Sequence, residues 1–152
     1  MRNYPTTRPR GRSLAAVLAL PLALTLLTLA ACDNDKANAK KKAGAPCPAS
    51  ISQSASTALP ADLPSPGGTV YEYNSQGKTR FWYVAIDGTP DQLVSLRDGY
   101  DSRLSGAGYT IKGHDQEPGT EAEAEFNGKH EGTTQFQPLC SGKVRVRIKL
   151  TS

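Results

Sequence analysis

The sequence has few of the residue types that build catalytic or metal centres: three cysteines, two histidines and one tryptophan among 152 residues. It contains no GxSxG motif, no HxH or HExxH motif and no CxxC motif. The hydrolases, zinc enzymes and thiol oxidoreductases that these motifs mark are therefore not supported. The glycines on either side of Ala107 follow a predicted helix, whereas phosphate-binding loops precede one. We predict no catalytic residue and no cofactor, and we predict that the protein is not an enzyme.

Acidic residues are missing from residues 1–31, which carry four arginines. Residues 32–46 add a net charge of +2, whereas residues 47–152 hold 10 basic and 12 acidic side chains. The formal net charge of +4 therefore comes from the N-terminal part of the chain. The composition of residues 47–152 gives no support for nucleic-acid binding, and no nucleic-acid partner is predicted.

One long apolar run is present, at residues 14–31, and it follows a basic stretch. This order is typical of a secretory signal. The run ends in Leu29-Ala30-Ala31-Cys32, which resembles the lipobox of bacterial lipoprotein precursors. The resemblance implies that residues 1–31 are a cleaved signal peptide and that Cys32 receives a diacylglycerol thioether. It also implies that the protein is lipid-anchored to the cell membrane, on the extracytoplasmic side.

Two alternatives for the apolar run remain open. Its 18 residues are near the lower limit for a membrane-spanning helix, and an ordinary signal peptide could end beside an unrelated cysteine. Residues 32–46 comprise Cys32 and a polar, Ala/Lys-rich stretch with almost no large apolar groups. Such a stretch cannot bury enough surface to fold, so we predict a flexible tether.

Cys47 and Cys140 remain once Cys32 is assigned to lipid. An exported compartment permits disulfides, and these two cysteines allow one pairing, which closes a loop across 93 residues. A redox or metal-binding thiol pair is the weaker alternative, because the sequence has no CxxC motif and no histidine beside either cysteine. We predict a disulfide in a single domain formed by residues 47–152.

Periodicity in this domain predicts an α+β fold. Thr89, Pro90 and Gln92 have the spacing of a helix start, and the helix should end near Ser105. Strands are predicted at residues 69–73, 79–87, 109–112, 121–127, 133–139 and 143–150. Short connections in this β-β-α-β-β-β-β order require an antiparallel sheet, with the helix across one face. The covered face is expected to hold Val144, Val146, Ile148, Phe126 and Trp82.

A turn at residues 74–78 places Val70 opposite Trp82 in the first hairpin. Four aromatic side chains then share the face away from the helix: Tyr71, Tyr73, Phe81 and Tyr83. They are the candidate binding surface for an envelope protein or a cell-wall glycan, unless the proline-rich segment after Cys47 covers them.

Acids alternate along residues 121–125 and bases along residues 143–149. This pattern predicts either a solvated sheet face or a dipolar docking surface.

The leading hypothesis is a membrane-anchored, non-catalytic binding or structural module of the cell envelope. A small-ligand or metal carrier that uses His114 and His130 is the alternative. A small envelope enzyme is the third hypothesis. It ranks below the other two because a row of carboxylates on a strand is usually a solvated face and not a catalytic site.

Overall fold

The structure is a computed structural model that describes residues 42, 44–52 and 54–151. The proposed signal peptide, Cys32 and most of the proposed tether lie outside the described residues. In the part of the chain that is described, no helix combines the length and hydropathy that a membrane crossing requires.

Six strands form one antiparallel sheet. They are β1 (Thr69–Gln76), β2 (Thr79–Asp87), β3 (Thr110–Glu117), β4 (Glu121–Asn127), β5 (Glu131–Cys140) and β6 (Lys143–Thr151). Their order in the sheet is β1-β2-β6-β5-β4-β3. Helix α1 (Leu93–Gly106) follows a 3-10 turn at Pro90–Gln92 and packs against β3, β4 and β5. The predicted fold class and element order are confirmed.

The local signals for the helix ends are also confirmed. The Thr89 backbone N–H donates to Gln92 Oε1 at 3.1 Å, and Pro90 occupies the first position of the turn. After the helix, Gly108 adopts a left-handed φ of 89°, a conformation that glycine reaches without steric cost. These contacts fix where α1 begins and ends relative to the sheet.

The core lies between the sheet and α1. All five apolar side chains predicted for the covered face are at most 2% exposed. Tyr100 and Leu104 of α1 are fully buried against this face. Helix and sheet therefore share one apolar layer, as a two-layer α+β domain requires.

The proline-rich segment, residues 54–68, fills the part of the covered face that α1 leaves open. Leu63 is 4% exposed and belongs to the same core cluster as Trp82. The Trp82 indole N–H donates to the Ala58 carbonyl at 3.0 Å, and the Tyr100 hydroxyl donates to the Pro64 carbonyl at 2.8 Å. The segment is thus bonded to both the sheet and the helix.

The predicted register of the first hairpin is wrong. The strands run on to a two-residue turn at residues 77–78, where Gly77 has a φ of 59°. Tyr73 consequently pairs with Trp82 on the covered face, where their ring centroids lie 5.2 Å apart. A bulge between Val70 and Glu72 then shifts the register by one residue. The tight turn prevails because it lengthens both strands and buries an aromatic pair.

Candidate functional site

The open face is the face of the sheet that α1 and the proline-rich segment leave uncovered, and each of its strands carries one kind of side chain. Acids line β4, neutral polar side chains line β5, bases line β6 and aromatic side chains line β2. The central members are Glu121, Glu123, Glu125, Thr133, Gln135, Gln137, Arg145, Arg147, Lys149, Phe81 and Tyr83.

Strand register aligns these side chains in rows across the sheet. One row holds Glu123, Gln135, Arg147 and Tyr83, and the next holds Glu125, Thr133, Lys149 and Phe81. Acid and base in each row are two strands apart, or about 9–10 Å at the usual spacing. The face is therefore dipolar, with its negative side over β4 and its positive side over β6.

Side-chain amides connect the two charged columns. Glu121 Oε2 accepts hydrogen bonds from Gln135 Nε2 and Gln137 Nε2, both at 2.6 Å. Gln137 Oε1 in turn accepts a hydrogen bond from the Arg145 guanidinium. This chain of contacts restrains the charged groups and reduces the entropy that they would lose on binding a partner.

Glu123 is the acid whose titration the open face changes. Partial burial raises the pKa of the Glu123 carboxyl above its usual range, and the charge of Glu121 raises it further. Arg147, in the same row, opposes both effects. The acidic column therefore holds negative charge that its surroundings compensate only in part, and a cation placed over it would stabilise the ionised form.

The four candidate aromatic side chains do not share one surface. Tyr73 packs on the covered face, as the hairpin register requires. Tyr71 is half-buried beside Ile51 and Ala85, and this burial raises the pKa of its phenol. Phe81 and Tyr83 remain as half-buried rings on the open face.

A cation stands beside the remaining aromatic pair. The Arg145 Cζ lies 5.9 Å from the centroid of the Tyr83 ring, which is within the range of a cation–π contact. Tyr71 adds a third ring at the edge, 6.4 Å from Tyr83. Aromatic and basic groups thus adjoin on one side of the open face.

A disulfide closes one corner of this surface. Cys47 and Cys140 are bonded, with their Cα atoms 5.1 Å apart, so the predicted pairing is confirmed. The bond holds the 3-10 turn Ala49–Ser52 over the end of the sheet, where Ile51 is 6% exposed. The chain after Cys47 therefore covers two of the four aromatic side chains: the 3-10 turn covers Tyr71, and Tyr73 lies in the core cluster with Leu59 and Leu63 of the proline-rich segment.

His114 faces α1 and belongs to an ion-pair network. Its Nε2 lies 2.8 Å from Asp101 Oδ2. Arg97 reaches Asp98 Oδ1 at 2.8 Å and lies 4.0 Å from Asp101. Asp98, Asp101 and His114 could bring three ligand atoms within 4.8 Å of one another, but the Arg97 guanidinium already supplies the positive charge there.

The helix pattern missed part of this network. The predicted apolar stripe of the helix consists of Leu93, Leu96, Tyr100 and Leu104, and it leaves out Arg97 and Asp101. These two side chains are nevertheless only 5% and 7% exposed. Burial raises the pKa of the Asp101 carboxyl above its usual range, and His114 opposes this effect. Their i, i+4 spacing was a signal for an ion pair on the helix. A second signal was that Arg97 lies four residues after Leu93 and three before Tyr100, which puts it on the buried side of the helix.

His130 has a different carboxylate partner. Its Nε2 lies 3.0 Å from Asp62 Oδ1, and its ring stacks on Tyr109. This hydrogen bond lowers the pKa of the Asp62 carboxyl. His114 is five residues along the chain from Tyr109, or roughly 15 Å of strand. The two histidines therefore do not converge on one ion, contrary to what the carrier hypothesis needs.

The open face and the disulfide thus define the site, and similarity to other proteins adds nothing to them. No protein-family model matches the chain, and no relative is found among the curated proteins.

Proposed function

We propose that this protein is a lipid-anchored module of the bacterial cell envelope that binds a partner on the extracytoplasmic side through its open face, without catalysis. Cys32, acylated by resemblance to the lipobox family, is the anchor. Phe81, Tyr83 and the adjoining bases are the contact surface. The partner is an envelope protein or a cell-wall glycan.

The observation that carries the proposal is the asymmetry of the sheet. One face is covered by α1 and the proline-rich segment, and its side chains form the core. The other presents ordered charges with half-buried rings beside them. Aromatic side chains beside charged groups are enriched at protein and ligand interfaces.

The disulfide supports the compartment. Disulfides persist in exported proteins and are rare in the cytosol. Cys47–Cys140 therefore fits a domain delivered outside the cytoplasm, as the N-terminal sequence also indicates. The lipid anchor itself lies outside the described residues and is tested separately.

Replacing Cys32 by serine should move the protein from the membrane fraction to the soluble extracytoplasmic fraction. Serine cannot form the thioether, and each methylene lost from the membrane removes about 0.8 kcal/mol of binding. Fractionation of cells that express the full chain measures the change. A matched control is Cys47→Ser with Cys140→Ser, which removes the disulfide but keeps the anchor. Membrane retention of Cys32→Ser would instead indicate a spanning helix.

Replacing Phe81 and Tyr83 together by alanine should weaken partner capture but leave the unfolding temperature nearly unchanged. Both rings lie on the open face and add little to the core. A crosslinking pull-down from intact cells measures capture, and circular dichroism measures stability. Tyr73→Ala is the matched control on the covered face, where we expect lower stability. Equal capture by wild type and the double variant would reject the proposed contact surface.

A further inference from the structure

Three rows across the open face each run from an acid on β4, through a neutral side chain on β5, to a base on β6. They are Glu121, Gln137 and Arg145; Glu123, Gln135 and Arg147; and Glu125, Thr133 and Lys149. We propose that the occupant of this face is a second copy of the chain, packed face to face about a two-fold axis that runs along β5. This inference rests on the proposed function, because it names the partner.

Register makes the face complementary to itself. A two-fold rotation about β5 exchanges β4 with β6 and leaves each row at its own level along the strands. Glu123 of one copy then lies over Arg147 of the other, and Glu125 lies over Lys149. An axis across the strands would instead place acids over acids. Charge complementarity therefore selects the axis along β5.

The outer strands fit the same arrangement. Rotation about β5 also brings β2 of one copy over β3 of the other. Phe81 is in the row of Gly113, which has no side chain and open space above it. Tyr83 is in the row of Asp115, so its hydroxyl can donate to that carboxylate. Tyr83 thus meets an acceptor, and Phe81 meets the space over Gly113, beside Lys112, which lines the same hollow as Glu125 and Thr133.

Membrane anchoring favours this axis as well. The Ser141 N–H donates to the Ala45 carbonyl at 2.8 Å, and Cys47 is bonded to Cys140. The chain therefore enters the domain beside the turn between β5 and β6. Rotation about β5 leaves this turn at the same end in both copies, so both N-terminal segments leave toward one membrane. An axis across the strands would send them in opposite directions.

The size of the face predicts a weak dimer. The five strands that overlap, β2, β6, β5, β4 and β3, present roughly 19 by 23 Å at about seven residues each, or about 900 Å² buried in total, which is in the range of weak, transient interfaces. Polar contacts of this kind weaken as salt screens them. Anchoring both copies in one membrane raises their effective concentration, so we expect the dimer to form mainly at the membrane.

The test is thiol crosslinking of the full chain in bacterial membranes. Thr133 lies on β5, where the two copies are closest. Because facing sheets lie about 10 Å apart, too far for a direct disulfide, Thr133→Cys should give a dimer band on a denaturing gel after treatment with a short bis-maleimide. Ser102→Cys, exposed on the opposite side of the domain, is the matched control and should give at least tenfold less dimer. Thiol labelling that shows an intact Cys47–Cys140 disulfide verifies folding of each variant.

Charge reversal then tests the geometry. In the Thr133→Cys background, Glu123→Lys with Glu125→Lys should reduce the dimer at least tenfold, and so should Arg147→Glu with Lys149→Glu. Co-expression of the two differently tagged variants should restore a heterodimer, because positions 123, 125, 147 and 149 are then basic on one copy and acidic on the other. Glutamine replacements at the same positions form a second set, in case a reversal prevents folding. Each should weaken the homodimer, and co-expression should restore a heterodimer in part, because Arg147 and Lys149 of one variant then lie over Glu123 and Glu125 of the other.

Either of two results overturns the inference: Thr133→Cys crosslinks no more than Ser102→Cys, or its crosslinking is insensitive to the charge variants. Failure here is distinguishable from failure of the proposed function. If no dimer forms but the pull-down still captures an envelope component in a Phe81- and Tyr83-dependent manner, the open face binds another occupant. If no dimer forms and the pull-down captures no envelope component in a Phe81- and Tyr83-dependent manner, both proposals are wrong.

Discussion

Replacing Cys47 and Cys140 together by alanine is expected to lower the free energy of unfolding by about 4 kcal/mol. The disulfide joins positions 93 residues apart, and a loop of that size removes much of the conformational entropy of the unfolded chain. A domain of this length has a net stability of about 5–10 kcal/mol, so the loss is a large share of the total. Urea unfolding followed by circular dichroism measures it.

Reduction of the wild-type chain by dithiothreitol is the control for this prediction. It breaks the same bond without changing the side-chain volume at Cys140, which is 2% exposed. The reduced protein and the double variant should therefore unfold at similar urea concentrations. A loss below about 1 kcal/mol in both would mean that the disulfide contributes little to the stability of the domain.

Trp82→Ala is expected to cost about 3–5 kcal/mol, the range for truncating a large buried aromatic side chain. Trp82 is 2% exposed, packs against Tyr73, and donates its indole N–H to Ala58. The substitution therefore opens a cavity in the core and removes the bond that joins β2 to the proline-rich segment. Thermal or urea unfolding measures the cost.

Trp82→Phe separates the two contributions. It retains most of the ring and loses the hydrogen bond to Ala58, so we expect a loss of about 1–3 kcal/mol, below that of Trp82→Ala. Limited proteolysis should then cut residues 54–68 faster in both variants than in wild type. Unchanged proteolysis of this segment in Trp82→Ala would contradict its proposed attachment through Trp82.

The parts of the fold that were predictable have strong local signals. The strict alternation in β6 places Val144, Val146 and Ile148 on one face, and a strand with one apolar face has one way to be buried. The helix start at Thr89 is set by contacts within four residues. Both were confirmed because no distant contact was needed to decide them.

Two features were not predictable because distant residues decide them. The hairpin register depends on how well Tyr73 packs against Trp82 in the core, and the residues at the turn were compatible with another loop length. The path of the proline-rich segment depends on Ala58 and Pro64, whose carbonyls accept hydrogen bonds from Trp82 and Tyr100. Every residue has a backbone carbonyl, so the pattern of residue types does not show which carbonyls accept these hydrogen bonds.

The candidate site was predictable in composition but not in arrangement. Alternation along β4 and β6 predicted the acidic and basic columns, whereas the register between strands sets which acid shares a row with which base. His114 and His130 were considered as a pair because sequence shows residue types without their partners. The partner of His114 is Asp101 and the partner of His130 is Asp62, and both aspartates lie on other parts of the fold.

The central claim, an acylated Cys32 holding a disulfide-closed domain outside the cytoplasm, is tested most directly by the intact mass of the chain extracted from native membranes. The account requires a polypeptide that begins at Cys32, carries the mass of a diacylglyceryl group, and lacks the two hydrogens removed when Cys47 and Cys140 are oxidised. A polypeptide that begins at Met1, with no acyl mass and free thiols, would contradict it.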